Sequence, residues 1–207
     1  MKKLESTLTN MVCVLTGVAL IMGAVLAWVN SVTAAPIAAQ KDKALADGIK
    51  EVLLCDDIDV ASIDTVRQTD AKGKEFTYII YNVRDAQGQD IGTAVESTTL
   101  GFGGNLKVLV GFSADDTILG YTLLEHAETP GLGAKADKWF QKGEKGDIIG
   151  LNPAEPLTVS KDGGQVDAIT ASTITSRAFL LAVNNAYNAY TGMLESDAMT
   201  GASQQVK

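Results

Sequence analysis

The fold of this chain is organised around the stretch DAITASTITSR, residues 167–177. Hydroxyl residues crowd its centre, and no Gly or Pro follows until after Tyr190, which predicts a helix over about residues 172–194. Asp167 and Thr170 lie where this helix is expected to start. A helix N-terminus presents unpaired N–H groups and partial positive charge, so it favours phosphate. Because Ser, Thr and Asp are also the preferred N-caps, the residue types alone favour a capped helix without a ligand.

A second segment of chemical interest is ETPGLG, residues 128–133. Gly131 and Gly133 follow Pro130 closely, which predicts a tight turn whose backbone amides are open to a ligand. The two glycines do not complete the longer glycine pattern of dinucleotide-binding folds. By itself, this segment is an ordinary turn.

Composition and charge exclude several classes of protein. The 207 residues are 46% hydrophobic and 20% charged, with a formal net charge of −8. An acidic chain does not match nucleic-acid binders, which carry basic patches, nor proteins that dock on anionic lipid. Two cysteines and one histidine give no disulfide framework, and neither a His/Cys metal site nor an iron–sulfur centre is expected.

The amino-terminal segment is predicted to be a membrane anchor. Residues 11–29 contain no charge, and nineteen helical residues at about 1.5 Å each roughly match a bilayer core of about 30 Å. Lys2 and Lys3 precede the span, so its N-terminus is expected in the cytoplasm and the body on the extracytoplasmic (periplasmic) face. A cleaved signal peptide is the alternative, since residues 32–34 (VTA) fit a cleavage site. The apolar run, however, exceeds the usual length of about 7–15 residues.

The body of the chain predicts an α+β fold of antiparallel strands with flanking helices. A second helical stretch is expected to open at Ala35-Pro36 and form a stalk, and residues 65–74 are polar. The predicted strands are residues 76–83, 90–99, 106–112, 118–124 and 157–159, with a helix over residues 134–142. The expected division is 1–34 tail and anchor, 35–60 stalk, 61–194 ligand-binding domain and 195–207 flexible tail.

Together the two segments resemble a known family. Residues 128–133 and the pattern Asp167-x-x-Thr170-Ala171-Ser172-Thr173 resemble the signature segments of the FMN-binding domain in the G subunit of Rnf complexes. The related C subunit of the sodium-pumping NADH:quinone reductase shares them. The family usually has Gly and Ala at the positions of Ala171 and Ser172. The single anchor and the chain length also fit.

The resemblance implies a covalent cofactor. In that family a dedicated flavin transferase joins FMN through its phosphate to a threonine, which by position is Thr173 here. Asp167 would belong to the segment that the transferase recognises. The cofactor-binding residues expected on these grounds are Thr173, Thr170, Ser172, Thr175, Glu128, Thr129, Gly131, Leu132 and Gly133. Among them, Thr129 and Thr175 are expected to hydrogen-bond the flavin, and Leu132 to face its ring.

The resemblance also implies a role. The chain would relay electrons within a bacterial inner-membrane complex that couples reduced ferredoxin and NAD to ion pumping, beside membrane and iron–sulfur subunits. No substrate site of its own is apparent, so an electron carrier within a translocase is expected rather than a stand-alone catalyst. Two alternatives stay open: the C subunit of a quinone reductase, and an anchored binding or scaffold domain without redox chemistry.

Overall fold

The computed structural model describes residues 7–55, 57–69, 75–85 and 87–192. The predicted α+β class is confirmed, and the predicted tail at residues 195–207 lies outside the described residues. Two compact units divide the chain, Met1–Ala44 and Leu45–Lys207. In chain order the elements are α1 (Leu8–Leu53), β1 (Ile58–Thr69), β2 (Glu75–Asp85), β3 (Asp90–Leu100), β4 (Asn105–Phe112), β5 (Ile118–His126), a 3₁₀ turn (Gly133–Lys135), α2 (Ala136–Trp139), a second 3₁₀ turn (Ser160–Asp162) and α3 (Thr173–Tyr190).

From Leu8 onward, the first unit is the amino-terminal part of α1. An 18-residue window of this helix has a mean hydropathy of 2.5 with none of it buried, so the helix is long and apolar enough to cross a membrane. Leu15 and Leu20 are among its exposed apolar side chains. Pro36 lies inside the helix, so the predicted second helix is the continuation of the first. Pro36 lacks an N–H and removes one backbone hydrogen bond without ending the helix.

The second unit is built on a five-stranded antiparallel sheet in the order β1-β2-β3-β4-β5. Each strand pairs with its neighbour in sequence. The predicted strands at residues 76–83, 90–99, 106–112 and 118–124 correspond to β2, β3, β4 and β5.

The two faces of the sheet bury different side chains because successive strand residues point to opposite sides. One face packs against α3, with Val108, Val110 and Phe112 of β4 in a core that includes Phe179 and Val183. Leu109, also of β4, lies in a second cluster. There it packs with side chains of the last turns of α1, namely Ile49, Val52 and Leu53.

The first strand was not predicted from the sequence. β1 begins within the predicted stalk at residues 35–60 and ends within the stretch described as polar, residues 65–74. Its side chains from Ala61 to Thr65 are exposed. As an edge strand it has a partner on one side only, β2. With no buried face over much of its length, it lacks the alternation of apolar and polar residues that marks a half-buried strand.

The helix predicted over residues 134–142 is wrong in length. A 3₁₀ turn and the four-residue α2 end at Trp139. The buried Tyr121 hydroxyl donates to the carbonyl of Ala136 at 2.7 Å and accepts from the amide of Phe140 at 3.1 Å. These tertiary hydrogen bonds occupy backbone groups that a longer helix would pair within itself.

The strand predicted at residues 157–159 is also wrong. The side-chain amide of Asn184 in α3 accepts from the Leu157 amide and donates to the Leu157 carbonyl, each at 2.9 Å. A side chain thus takes the place of a neighbouring strand. Only an isolated bridge joins Val159 to Val166.

The carboxy-terminal helix is confirmed with adjusted ends. It begins at Thr173 and ends at Tyr190, and its predicted last residues, 193–194, lie outside the described part of the chain. Phe179, Val183 and Ala186 are buried as predicted, and Tyr190 is half-buried and stacks on Phe112 at 5.4 Å between ring centroids.

Candidate functional site

A pocket forms where the start of α3, the segment after β5 and the turn between β3 and β4 meet. Its volume is about 360 Å³. The residues that line it are Phe102, Glu128, Thr129, Leu132, Gly133, Ala171, Ser172, Thr173, Ile174 and Thr175. The two sequence segments that suggested a ligand site therefore lie side by side.

The start of α3 has no side-chain cap. Ser172 occupies the N-cap position, and no side-chain hydrogen bond caps the helix there. Asp167 and Thr170, expected near the helix start, lie before the N-cap residue. Because the first-turn amides of a helix have no partner within it, this terminus keeps donors and partial positive charge for a ligand.

The chain enters α3 through a left-handed residue. Ala171 has φ of 62°, a conformation that costs a non-glycine residue about 1–2 kcal/mol. A glycine adopts it freely, which gives a physical reason for the glycine that the resembled family usually has there. The Ser176 hydroxyl then fixes the turn by accepting from the Ile169 amide at 2.9 Å and donating to the Ser172 carbonyl at 3.0 Å.

Glu128 joins the three segments that form the pocket. Its side chain is buried, and one carboxylate oxygen accepts from the Thr175 hydroxyl at 2.7 Å. The other accepts from the amide of Gly103, in the turn between β3 and β4, at 3.1 Å. Thr175 was expected to bond a flavin, but its hydroxyl proton is directed to Glu128. The pair builds the wall of the pocket.

Two backbone amides of the glycine turn are paired within it, whereas open amides were expected. The amides of Leu132 and Ala134 both donate to the carbonyl of Thr129, at 3.1 and 3.2 Å. Gly131 adopts φ of 77°, which favours glycine. At Gly133, a Cβ atom would collide with the Glu128 carboxylate and lie 2.7 Å from the Thr175 hydroxyl oxygen. The glycines thus permit the turn and its close approach to Glu128.

Thr173 is half-buried in the pocket wall, and its hydroxyl oxygen accepts a hydrogen bond from Lys161 Nζ at 3.1 Å. Lys161 lies in the Ser160–Asp162 turn, outside both segments. No sequence pattern marked it, because the contact joins residues of separate elements.

The other expected residues divide between the pocket and its surroundings. Ser172, Thr129 and Leu132 line the pocket, whereas Gly131 lines a neighbouring surface depression. Thr170 is exposed and lines neither.

Asp167 also lies outside the pocket lining and ties neighbouring segments together. Its carboxylate accepts from the Ser160 hydroxyl at 3.0 Å. Its carbonyl accepts from the indole N–H of Trp139 at 2.8 Å.

Two apolar side chains were missed by sequence reasoning. Phe102 is 70% exposed and Ile174 is 54% exposed, and both line the pocket. Phe102 stands alone among glycines in LGFGG, residues 100–104, and an aromatic residue in such a turn was an available signal. Ile174 carried no such signal, since an apolar residue in a helix is usually part of the core.

Comparison with known proteins gives consistent findings. The model of the FMN-binding domain family matches residues 101–188. The G subunit of the ion-translocating oxidoreductase complex of Shewanella baltica is 32% identical over 176 residues, covering 81% of this chain and 82% of that protein. The protein of the same name from Aliivibrio fischeri is 38% identical over 126 residues, covering 58% of this chain and 59% of that protein.

A solved structure is also similar, the crystal structure of the C subunit of Na(+)-translocating NADH-quinone reductase from Parabacteroides distasonis. It is 23% identical and covers 65% of this chain and 78% of that chain, with a TM-score of 0.40. The sequence relationships extend over most of this chain and of the Shewanella protein. The chain therefore belongs to the family of G subunits of ion-translocating oxidoreductase complexes.

Proposed function

We propose that this protein is the flavin-carrying G subunit of an Rnf-type ion-translocating complex, with FMN joined through its phosphate to Thr173. The observation that carries the proposal is the pocket at the uncapped start of α3, in which Thr173 presents its hydroxyl beside Lys161. Membership of the G-subunit family and the match to the FMN-binding domain support the same conclusion.

The residues of the pocket fit FMN at its phosphate end. A phosphate on Thr173 would lie at the first residue of an 18-residue helix, where the helix dipole favours negative charge. The first-turn amides and the Lys161 ammonium supply donors of the kind that phosphate oxygens accept.

The rest of the pocket fits a flat, largely apolar ring. Its volume of about 360 Å³ falls within the range of small-molecule sites, roughly 300–1,000 Å³. Phe102, Leu132 and Ile174 give it exposed apolar walls. Thr129 adds a polar group beside them.

Bound FMN would supply the electron-transfer chemistry, and the protein would supply attachment, orientation and electrostatics. Thr173 provides the hydroxyl that is esterified. The Glu128–Thr175 pair fixes α3 against the turn between β3 and β4, so that Thr173 and Phe102 face one cavity. The buried Glu128 carboxylate also places negative charge beside any redox group in the pocket.

We further propose that α1 anchors this domain to the inner membrane. Lys2 and Lys3 support a cytoplasmic N-terminus and an extracytoplasmic domain. In this arrangement residues 1–34 are tail and anchor, residues 35–60 are a stalk and residues 61–194 hold the flavin. The partners would be the other membrane and iron–sulfur subunits of the complex, and a flavin transferase for maturation.

The test of the proposal is flavin retention after denaturation. Co-expression with a flavin transferase is expected to give a fluorescent band in a denaturing gel and the mass increment of one flavin phosphate. Thr173→Ala is expected to abolish both, because it removes the attachment oxygen. Thr170→Ala tests the exposed hydroxyl of the same segment. Thr158→Ala is the matched control, since Thr158 is exposed and lies outside both segments and the pocket lining, and it should retain both.

Two results would contradict the proposal. Loss of the band in Thr170→Ala with retention in Thr173→Ala would assign the attachment to another hydroxyl. A wild-type protein without fluorescence or added mass would indicate an anchored binding or scaffold domain instead.

A further inference from the structure

Lys161 is the cation that contacts the proposed attachment oxygen. Its ammonium donates to Thr173 Oγ1 at 3.1 Å, across twelve positions of sequence. Neither signature segment contains it, and no sequence pattern suggested it. The chain as a whole is acidic, with a net charge of −8, and the pocket lining includes the Glu128 carboxylate. Lys161 therefore places a positive charge at Thr173 in otherwise acidic surroundings.

The turn that carries Lys161 is fixed on both sides. On one side the Ser160 amide donates to the Val166 carbonyl at 2.7 Å, and the Ser160 hydroxyl donates to Asp167 at 3.0 Å. On the other side the Asp162 carboxylate accepts two hydrogen bonds from the Arg177 guanidinium of α3, at 2.6 and 2.7 Å. Lys161 is held between these two attachments, beside the first turn of the helix.

Esterification would change what Lys161 contacts. In transfer from a flavin dinucleotide, the Thr173 O–H bond is replaced by an O–P bond, the pyrophosphate bond of the donor breaks, and a nucleoside monophosphate and a proton leave. The resulting phosphodiester carries one negative charge. Lysine binds phosphate as a compact, flexible point charge with three donors. The ammonium already lies within hydrogen-bond distance of the oxygen that would link protein and phosphate.

Resting on the proposed function, we propose that Lys161 is the phosphate-positioning residue of the site, whose ammonium pairs with the phosphodiester at Thr173. It remains protonated and takes no part in bond making. Together with the first-turn amides of α3, it offsets the charge of the phosphate. It thereby fixes the direction in which the flavin leaves the helix terminus. The Asp162–Arg177 ion pair in turn positions the turn that carries Lys161.

The experiment compares the full-length protein with Lys161→Met, Lys161→Arg and Lys145→Met. The first removes the charge and the second keeps it, while the third changes an exposed lysine outside the pocket lining. Each is incubated with a flavin transferase and a flavin dinucleotide as donor, and intact mass gives the rate of flavin incorporation. The ³¹P NMR shift of each loaded protein reports the surroundings of the phosphodiester. Thermal unfolding before loading verifies that each variant is folded.

Lys161→Met is expected to incorporate flavin about tenfold more slowly, the effect of losing one charge-assisted hydrogen bond. Its loaded fraction should show a displaced ³¹P signal. Lys161→Arg should restore most of the incorporation rate and most of the wild-type ³¹P shift. Lys145→Met should match the wild type in both measurements.

An unchanged ³¹P signal in loaded Lys161→Met would overturn the inference, whatever the incorporation rate, because the ammonium would then not contact the phosphate. This result leaves the proposed function standing, since the wild type and the variant would both carry flavin. A wild type that carries no flavin at Thr173 would overturn the proposed function and this inference with it.

Discussion

Ser97 places a hydroxyl in the core without a hydrogen-bond partner among the described residues. Thr99, two positions along β3 and so on the same face of the sheet, donates to the Ala178 carbonyl at 2.9 Å. Because a buried hydroxyl without a partner is destabilising, Ser97→Ala should raise the free energy of unfolding by about 1 kcal/mol. Chemical unfolding of the detergent-solubilised protein measures this change.

Thr99→Val is the matched control for Ser97. It removes a hydroxyl of the same strand face but leaves the Ala178 carbonyl without this donor, so it should lower the free energy of unfolding by about 1 kcal/mol. A loss of similar size in Ser97→Ala would contradict the prediction and show that the Ser97 hydroxyl has a partner in solution.

The contributions of Glu128 and Thr175 to stability should be energetically coupled. Both side chains are buried, and Thr175 Oγ1 lies 2.7 Å from Glu128 Oε2. Thr175→Val leaves a carboxylate oxygen without its donor, at a cost of about 1–3 kcal/mol. Adding Glu128→Ala should then cost less than it does in the wild type, with a coupling energy of about 1–2 kcal/mol in a double-mutant cycle.

An additive result would contradict this coupling. Arg84→Gln serves as the control partner for Thr175→Val, because Arg84 has its own hydrogen bond to Asp90 at 2.7 Å. That pair of changes should be additive within about 0.5 kcal/mol.

At the scale of single residues, the sequence indicated which residues line the pocket better than it indicated their hydrogen-bond partners. The hydroxyl cluster and the glycine turn, which resemble the signature segments of a family, both contribute residues to the pocket. The partners within it were not predictable, because Thr175 bonds a residue 47 positions away and Thr173 a residue 12 positions away. Such pairings depend on how α3 lies against the turns, which no local pattern records.

Among the elements, the Ser160–Asp162 turn depends on the start of α3 through one ion pair. The hydrogen bonds from the Arg177 guanidinium lower the pKa of Asp162 below its ordinary value of 3.8. Because the folded-state pKa is depressed, the pair is fully formed above this value and is lost as the pH falls through the lower, folded-state pKa. NMR titration of the Asp162 carboxyl carbon should therefore give a midpoint below 3.8.

Removal of the guanidinium tests this cause. In Arg177→Met the Asp162 midpoint should return towards its ordinary value, while signals of the distant turn at Asp85 stay unchanged. A wild-type midpoint at or above 3.8 would show that the two side chains do not pair in solution.

Elements with a buried face were the ones that the sequence predicted well. β2 to β5 and α3 each bury several side chains, and runs of β-branched, aromatic and other apolar residues mark them in the sequence. β1 is largely exposed, and α2 ends where Tyr121 bonds the backbone. The conformations of β1 and α2 are therefore determined by contacts with other elements, and no periodic pattern of apolar residues marks these two elements in the sequence.

For the whole molecule, fold class and location of the site were predictable to different degrees. An apolar span followed by strands and a final helix was sufficient for the α+β class. The pocket brings together residues 102, 128–129, 132–133 and 171–175, from three separate parts of the chain. Residues 128–133 and 171–175 were identified through their resemblance to a family. Phe102 was missed because its turn lies outside both signature segments.

The tyrosines make the stability of the whole domain sensitive to alkali. The chain has five, and burial is the principal cause that raises the pKa of each above its ordinary value of 10.0. The rise is large for Tyr121, whose hydroxyl donates to the Ala136 carbonyl and accepts from the Phe140 amide. Because the folded-state pKa is raised, stability is fully present below pH 10 and is lost as the pH rises above it, where the unfolded chain ionises first.

Native protein should therefore show less tyrosinate absorbance at pH 10 than protein unfolded in urea, which should be half-ionised there. Above this pH, Tyr121 stays protonated in the fold and contributes a loss of about 1.4 kcal/mol per pH unit to the free energy of unfolding. Tyr121→Phe should be less stable at neutral pH, because it leaves the Phe140 amide without this partner, yet its stability should fall less steeply with pH. A native absorbance titration that coincides with that in urea would show that the phenols are open to solvent and would contradict the burial of this core.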